Sequence, residues 1–117
     1  MGPELNIMIM SGVDDGSLMR CSAAQGDGHI EGDTWIIAIG RHDSSDICLN
    51  NDTYVSRHHA RLHYQGQQFW IEDRDSTNGT YIEVSTHEDV QVIDRVSLQY
   101  GQLFRVGRTW LRVESFE

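Results

Sequence analysis

No stretch of this chain holds a helical 3.6-residue repeat for three turns. Apolar residues instead recur at alternate positions, in short runs cut by turn residues. Ile7 and Ile9 share one face of a run over 5–10, and 17–23 forms a second run after a turn at 12–16. Residues 35–39 are apolar on both faces, as a strand covered on both sides requires. Further strands are expected at 47–49, 60–64, 69–72, 80–82, 90–92, 96–98, 103–106 and 109–113. Gln65-Gly66 marks one hairpin and Gly107-Arg108 another, and the Gly26, Gly28, Gly32 region is expected to be loop. Many short strands, turn chemistry between them and a single proline point to an all-β antiparallel sandwich or barrel.

Length bounds this to one domain over 1–117, with its ordered core over about 5–113 and a frayed end at 114–117. A larger protein could carry such a module. At this size a core forms without disulfide or metal. Cys21 and Cys48 make no CxxC pair and read as small buried hydrophobes. The first residues lack the charged and apolar regions of a secretory signal, and Asn6 breaks a myristoylation motif. No segment is long enough to span a bilayer, so a cytoplasmic setting is expected, with no membrane insertion.

Charge removes further classes. The net charge is −9, and all nine basic residues are arginine. Without lysine, Schiff-base and lysine-base chemistry is excluded within this chain. Nucleic acid needs a basic field, and the overall field here has the opposite sign. A local arginine cluster can still hold one phosphate, on a ligand that is otherwise not strongly acidic.

Three segments supply such a cluster: Gly40-Arg41, Ser56-Arg57-His58-His59-Ala60 and Ser76-Thr77-Asn78-Gly79-Thr80. Arg41 offers a planar fork of donors, Ser56 a hydroxyl and Arg57 a second positive charge. Asn78 can donate and accept at once, matching a peptide backbone, and Gly79 permits the positive φ of an Asn-Gly turn. A phosphothreonine carries roughly −1.5 to −2 charges and three acceptor oxygens. Charge-assisted bonds to it contribute roughly 1.5–3 kcal/mol each, enough for micromolar recognition.

These segments, with Asp46-Ile47-Cys48-Leu49, Ile71-Glu72-Asp73-Arg74-Asp75 and Leu98-Gln99-Tyr100-Gly101-Gln102-Leu103-Phe104-Arg105-Val106-Gly107, resemble the forkhead-associated (FHA) domain of bacterial type. The likeness lies in their order and spans nearly the whole chain. It implies a β-sandwich of about eleven strands that binds phosphothreonine peptides through loops at one end. Carried over by position, Arg41, Ser56 and Arg57 would contact the phosphate, and Thr77 and Asn78 the peptide backbone. Gly40, His59 and Gly79 would shape the loops. The resemblance further implies a phosphothreonine-containing partner and an upstream Ser/Thr kinase, with no cofactor, metal or catalytic residue. Two departures stand out: an acidic stretch over 83–89, expected as a long loop, replaces the family's usual Asn-Gly turn, and Gln102 replaces a common aspartate.

Simpler readings compete at individual residues. His59 and His63 are four apart, a metal-ligand spacing on a helix but a poor one on a strand. Ser56, His59 and Asp73 are the residue types of a hydrolase triad, yet no nucleophile elbow accompanies them. Trp35, Trp70 and Trp110 are expected in core or inter-sheet packing, and Arg105, Arg108 and Arg112 on a solvated face paired with acids. The alternative to a phosphothreonine reader is a structural or assembly module of the same fold without phosphate dependence. Arg41, Ser56 and Asn78 together weigh against it.

Overall fold

The computed structural model describes residues 3–12 and 14–116, the side chains of 115 and 116 excepted. Its strands are β1 (Glu4–Ser11), β2 (Leu18–Ser22), β3 (His29–Glu31), β4 (Thr34–Gly40), β5 (Ile47–Cys48), β6 (Ala60–Gln65), β7 (Gln68–Asp73), β8 (Thr80–Ser85), β9 (Glu88–Gln91), β10 (Arg95–Leu98), β11 (Leu103–Val106) and β12 (Thr109–Phe116). One sheet runs β2-β1-β12-β11-β8-β9 and the other β10-β7-β6-β4-β3. Pairing is antiparallel throughout, except that β5 adds to β4 in parallel. No helix among the described residues is long and apolar enough to cross a membrane.

Alternation builds the core. Leu5, Ile7 and Ile9 of β1 face Leu111 and Val113 of β12, and each is nearly devoid of exposure. The opposite sheet contributes Ile37, Ile39, Leu62 and Ile71 to the same cluster. In β4, Trp35, Ile36 and Ile37 are buried in succession, in a strand flanked by β3 and β6. Burying such side chains stabilises by roughly 1.5–3 kcal/mol each relative to exposure.

The structure departs from the sequence reading in several places. There are twelve strands among the described residues, in line with the expected sandwich of about eleven; the addition is β3, which the glycine-bounded loop holds and which pairs with β4. The acidic stretch 83–89 is not a long loop: β8 continues to Ser85, turns at Thr86-His87 and returns as β9. β12 continues to Phe116, paired to Leu5, past the strand end expected at 113. Met1, Gly2, Val13 and Glu117 lie outside the described residues, and with them the expectations made there. The hairpin turn after β6 is Gly66-Gln67, one residue later than expected.

Two groups of side chains are also placed differently. Trp35 is buried in the core, but Trp70 and Trp110 lie half-buried under the guanidinium groups of Arg95 and Arg105. Arg105 also covers Tyr81, and Arg108 covers Tyr54 at 3.8 Å from ring centroid. Among the described residues, Arg112 alone of the C-terminal arginines pairs with an acid, Glu114 at 2.7 Å. Flat guanidinium groups are attracted to aromatic faces, which competes with surface ion pairing. Cys21 is buried as expected, whereas Cys48 is only half-buried.

Candidate functional site

The ends of β4 and β7 and the starts of β6 and β8 meet at one end of the sandwich, where the polar segments gather. The 76–79 loop crosses here from one sheet to the other. The chain after β4 is sewn to the segment before β6: the N–H groups of Arg41 and His42 donate to the carbonyls of Ser56 and Arg57 at 3.0 and 3.2 Å. Leu49 N–H returns to Gly40 O at 2.8 Å. This crossing is so close that a Cβ on Gly40 would overlap the Arg57 carbonyl.

Three consecutive residues then orient the donors. Arg41 Nε donates to Val55 O at 2.9 Å, and the guanidinium's terminal nitrogens have no partner among the described residues. Asn78 Nδ2 donates to Tyr54 O at 2.9 Å, which leaves its other N–H and its carbonyl oxygen to a ligand. Ser56 Oγ accepts the Thr77 N–H at 3.1 Å, so its own proton remains to be donated. Arg57 is exposed, and its side chain has no partner among the described residues. Thr77 is exposed beside it.

Below this rim lies His59, with no exposure. Its Nδ1 accepts the Ser56 N–H at 3.0 Å, and its Nε2 faces Gly79 O at 2.9 Å. An amide can only donate, so Nδ1 is bare and Nε2 carries the proton. Desolvation holds its pKa below the ordinary value, although the Gly79 bond and the charges of Asp73 and Asp52 oppose this. Gly79 has φ +84, a left-handed conformation in which any side chain is strained. Gly40 and Gly79 are thus constrained by close backbone approach and by positive φ, and His59 by its two backbone bonds.

Two carboxylates that the sequence reading did not single out as scaffold brace the loops. Asp73 accepts the hydroxyls of Ser76 and Thr80 at 2.6 and 2.7 Å, and Ser76 Oγ in turn accepts Gly79 N–H at 3.0 Å. Asp52, 3% exposed, accepts Tyr54 N–H, Arg108 N–H and Thr109 Oγ1–H at 2.9, 2.8 and 2.7 Å. The aspartate two residues before Tyr54 N–H is an Asx-turn signal present in the sequence. The partners at 108 and 109 are too distant in sequence to be read there.

Nothing here pairs a nucleophile with a base. Both His59 nitrogens are engaged, one by the backbone of Ser56 rather than its hydroxyl, and Asp73 bonds hydroxyls instead of the imidazole. Burial pushes the Cys21 thiol up to about 12, with Asp46 and Asp27 adding to the effect, so it is no thiolate. His63 is spent on Glu72 at 3.0 Å and lies four residues from His59, roughly 13 Å along a strand.

A family model described as FHA domain matches residues 37–107. The chain is 38% identical over 73 residues to the FHA domain-containing protein FhaB of Mycobacterium tuberculosis, a match covering 62% of this chain and 43% of FhaB. It thus spans less than half the length of that relative. A chain from a structural and functional analysis of phosphothreonine-dependent FHA domain interactions superposes with a TM-score of 0.67 at 23% identity, covering 98% of this chain and 97% of that one. Mycobacterium tuberculosis EmbR in complex with a low affinity phosphopeptide superposes with a TM-score of 0.66 at 22% identity, covering all of this chain and 24% of EmbR. At these identities the likeness to solved structures carries the fold.

Proposed function

This chain belongs to the FHA-domain family, and we propose that it is a non-enzymatic module that binds phosphothreonine-containing proteins or peptides made by a Ser/Thr kinase. Arg41, Ser56 and Arg57 hold the phosphate. Thr77 and Asn78 hold the peptide backbone beside it. The setting is cytoplasmic, and the ligand is a protein rather than nucleic acid.

One observation carries this reading. Carbonyl or hydroxyl groups of Tyr54, Val55 and Ser56 bond Asn78, Arg41 and the Thr77 amide respectively. A single strand of backbone thereby aims a guanidinium, a hydroxyl proton and a carboxamide at one rim. Each retains unspent capacity, and their chemistry matches a phosphate followed by a peptide bond. Such preorganisation lowers the ordering cost of binding.

The test is titration of a phosphothreonine peptide library against wild type and Arg41→Ala. Binding by wild type should fall by roughly 10- to 100-fold in the variant, the worth of one or two charge-assisted bonds. If no phosphopeptide binds wild type, or if the variant binds as well, the proposal fails.

A further inference from the structure

We propose that the groove on the outer face of β6 beside the end of β7 is a second anion site, filled by an acidic group on the same ligand about three to five residues from the phosphothreonine. This inference rests on the function proposed above.

The distribution of arginines points there. Acidic residues outnumber basic ones eighteen to nine, so an arginine without an acid partner needs a reason. Arg20 and Arg112 pair with Glu4 and Glu114. Arg95, Arg105 and Arg108 lie over aromatic rings. The remaining four are Arg41, Arg57, Arg61 and Arg74, and no ion pair to any of them is found among the described residues. All four are at the end of the sandwich that carries the phosphate rim, or one strand row below it.

Two of them line a cavity of about 220 Å³. Arg61 and Arg74 border it with Ala38, Ser45 and His58. Liquid water occupies about 30 Å³ per molecule, so a carboxylate or phosphate fits with its hydration. Ser45, only 9% exposed, lines the same groove. The groove thus offers two forks of donors and a hydroxyl, the same chemistry as the rim.

Three of the carboxylates nearby, Asp46, Glu72 and Asp73, are engaged elsewhere. Asp46 accepts the N–H groups of Gly28 and Ala38, both at 2.8 Å. Glu72, which stands opposite Arg61 in the strand register, faces His63. Asp73 is held by Ser76 and Thr80. Asp43 and Asp75 are exposed on the flanking loops and form no ion pair with these arginines. Arg74 is anchored to the rim, its N–H donating to His59 O at 2.9 Å.

Spacing sets the ligand. Arg61 follows Ser56 by five residues, so at most about 17 Å separates their backbones. An extended peptide advances about 3.3 Å per residue, which places the second acidic group about three to five residues away. The overall acidity of the chain suggested a ligand that is otherwise not strongly acidic; the local arrangement revises this to one with two anionic points.

The test uses three sets of peptides with the intact protein. One carries a single phosphothreonine with neutral flanks. The second adds aspartate at each position three to five residues away on either side, and the third adds phosphoserine there. At least one placement should tighten binding by roughly 3- to 30-fold. Arg61→Gln with Arg74→Gln should erase that gain and leave the neutral-flank peptide within about twofold. A larger gain from phosphoserine assigns a phosphate, and an equal gain assigns a carboxylate. If no placement tightens binding to wild type, the second site is refuted, and that comparison holds even if the variant fails to fold. A gain that survives the double substitution refutes it as well. If the neutral-flank peptide does not bind at all, the phosphothreonine reading has failed first, a distinguishable result.

Discussion

His59 joins Gly79 across the mouth of the sandwich: its Nε2–H donates to the Gly79 carbonyl at 2.9 Å while its Nδ1 accepts the Ser56 N–H at 3.0 Å. One neutral imidazole, in one tautomer, ties together the loops that carry Ser56 and Asn78. The geometry of that rim therefore depends on a residue with no exposure of its own.

This arrangement gives the fold a pH dependence. Burial lowers the His59 pKa below its ordinary 6.5, because the buried ring resists charging. Below about 6.5 the unfolded chain takes a proton at this histidine while the folded chain does not. Stability from this source is complete above that pH and declines as pH falls toward the folded value. Urea midpoints measured from pH 8 to pH 5 should show the decline in wild type and a shallower one in His59→Gln. The variant should itself be less stable by about 1–3 kcal/mol, having lost one or both loop bonds. Equal slopes for the two proteins would contradict this role.

Gly40 admits no side chain. A Cβ there would overlap the Arg57 carbonyl and stand 3.0 Å from Ser45 Oγ, and both belong to the loops that form the rim. Backbone cannot yield as a flexible side chain does. Gly40→Ala should cost about 1–3 kcal/mol or more in thermal or denaturant unfolding. It should also weaken phosphopeptide binding, because Arg41 is the next residue. An alanine variant as stable as wild type would show that the two chains do not approach this closely.

Asp52 should tolerate neither truncation nor its isostere. Both of its oxygens accept: one takes Tyr54 N–H, the other Arg108 N–H and Thr109 Oγ1–H. Alanine would orphan these buried donors, at a cost on the order of 3–5 kcal/mol. Asparagine keeps the shape but turns an N–H toward an N–H, so Asp52→Asn should also lose well over 1 kcal/mol. Calorimetry on both variants checks this, and a wild-type Tm for asparagine would contradict the assignment.

Strands whose alternation meets one buried face were legible in the sequence, as in Leu5, Ile7 and Ile9. β3 was not, because all three of its residues are exposed and nothing periodic marks them. Strands were expected at 80–82 and 90–92, but their extension into one acidic hairpin was hidden for the same reason: every residue of β9 is exposed. Its pairing comes from backbone hydrogen bonds, which no side-chain pattern records. Trp70 and Trp110 were misread because bulk and apolarity do not say which face of a strand is inward. The neighbours Phe69, Ile71 and Leu111 hold the inward positions. At the rim, the order of Arg41, Ser56 and Asn78 pointed to one site. Their anchoring to residues 54–56 required the folded chain, since the partners lie 14 to 24 residues apart. That Arg61 and Arg74 have no acid partner among the described residues was equally invisible, because pairing depends on which acids the fold brings near.

The most direct test of the central claim is an amide NMR titration of the wild-type protein with one peptide in its threonine and phosphothreonine forms. The phosphorylated form should shift the amides of Arg41, Ser56, Thr77 and Asn78 in a saturable way, and the unphosphorylated form should leave them still. Equal shifts from both forms, or shifts confined to residues away from this rim, would contradict phosphothreonine recognition by these residues.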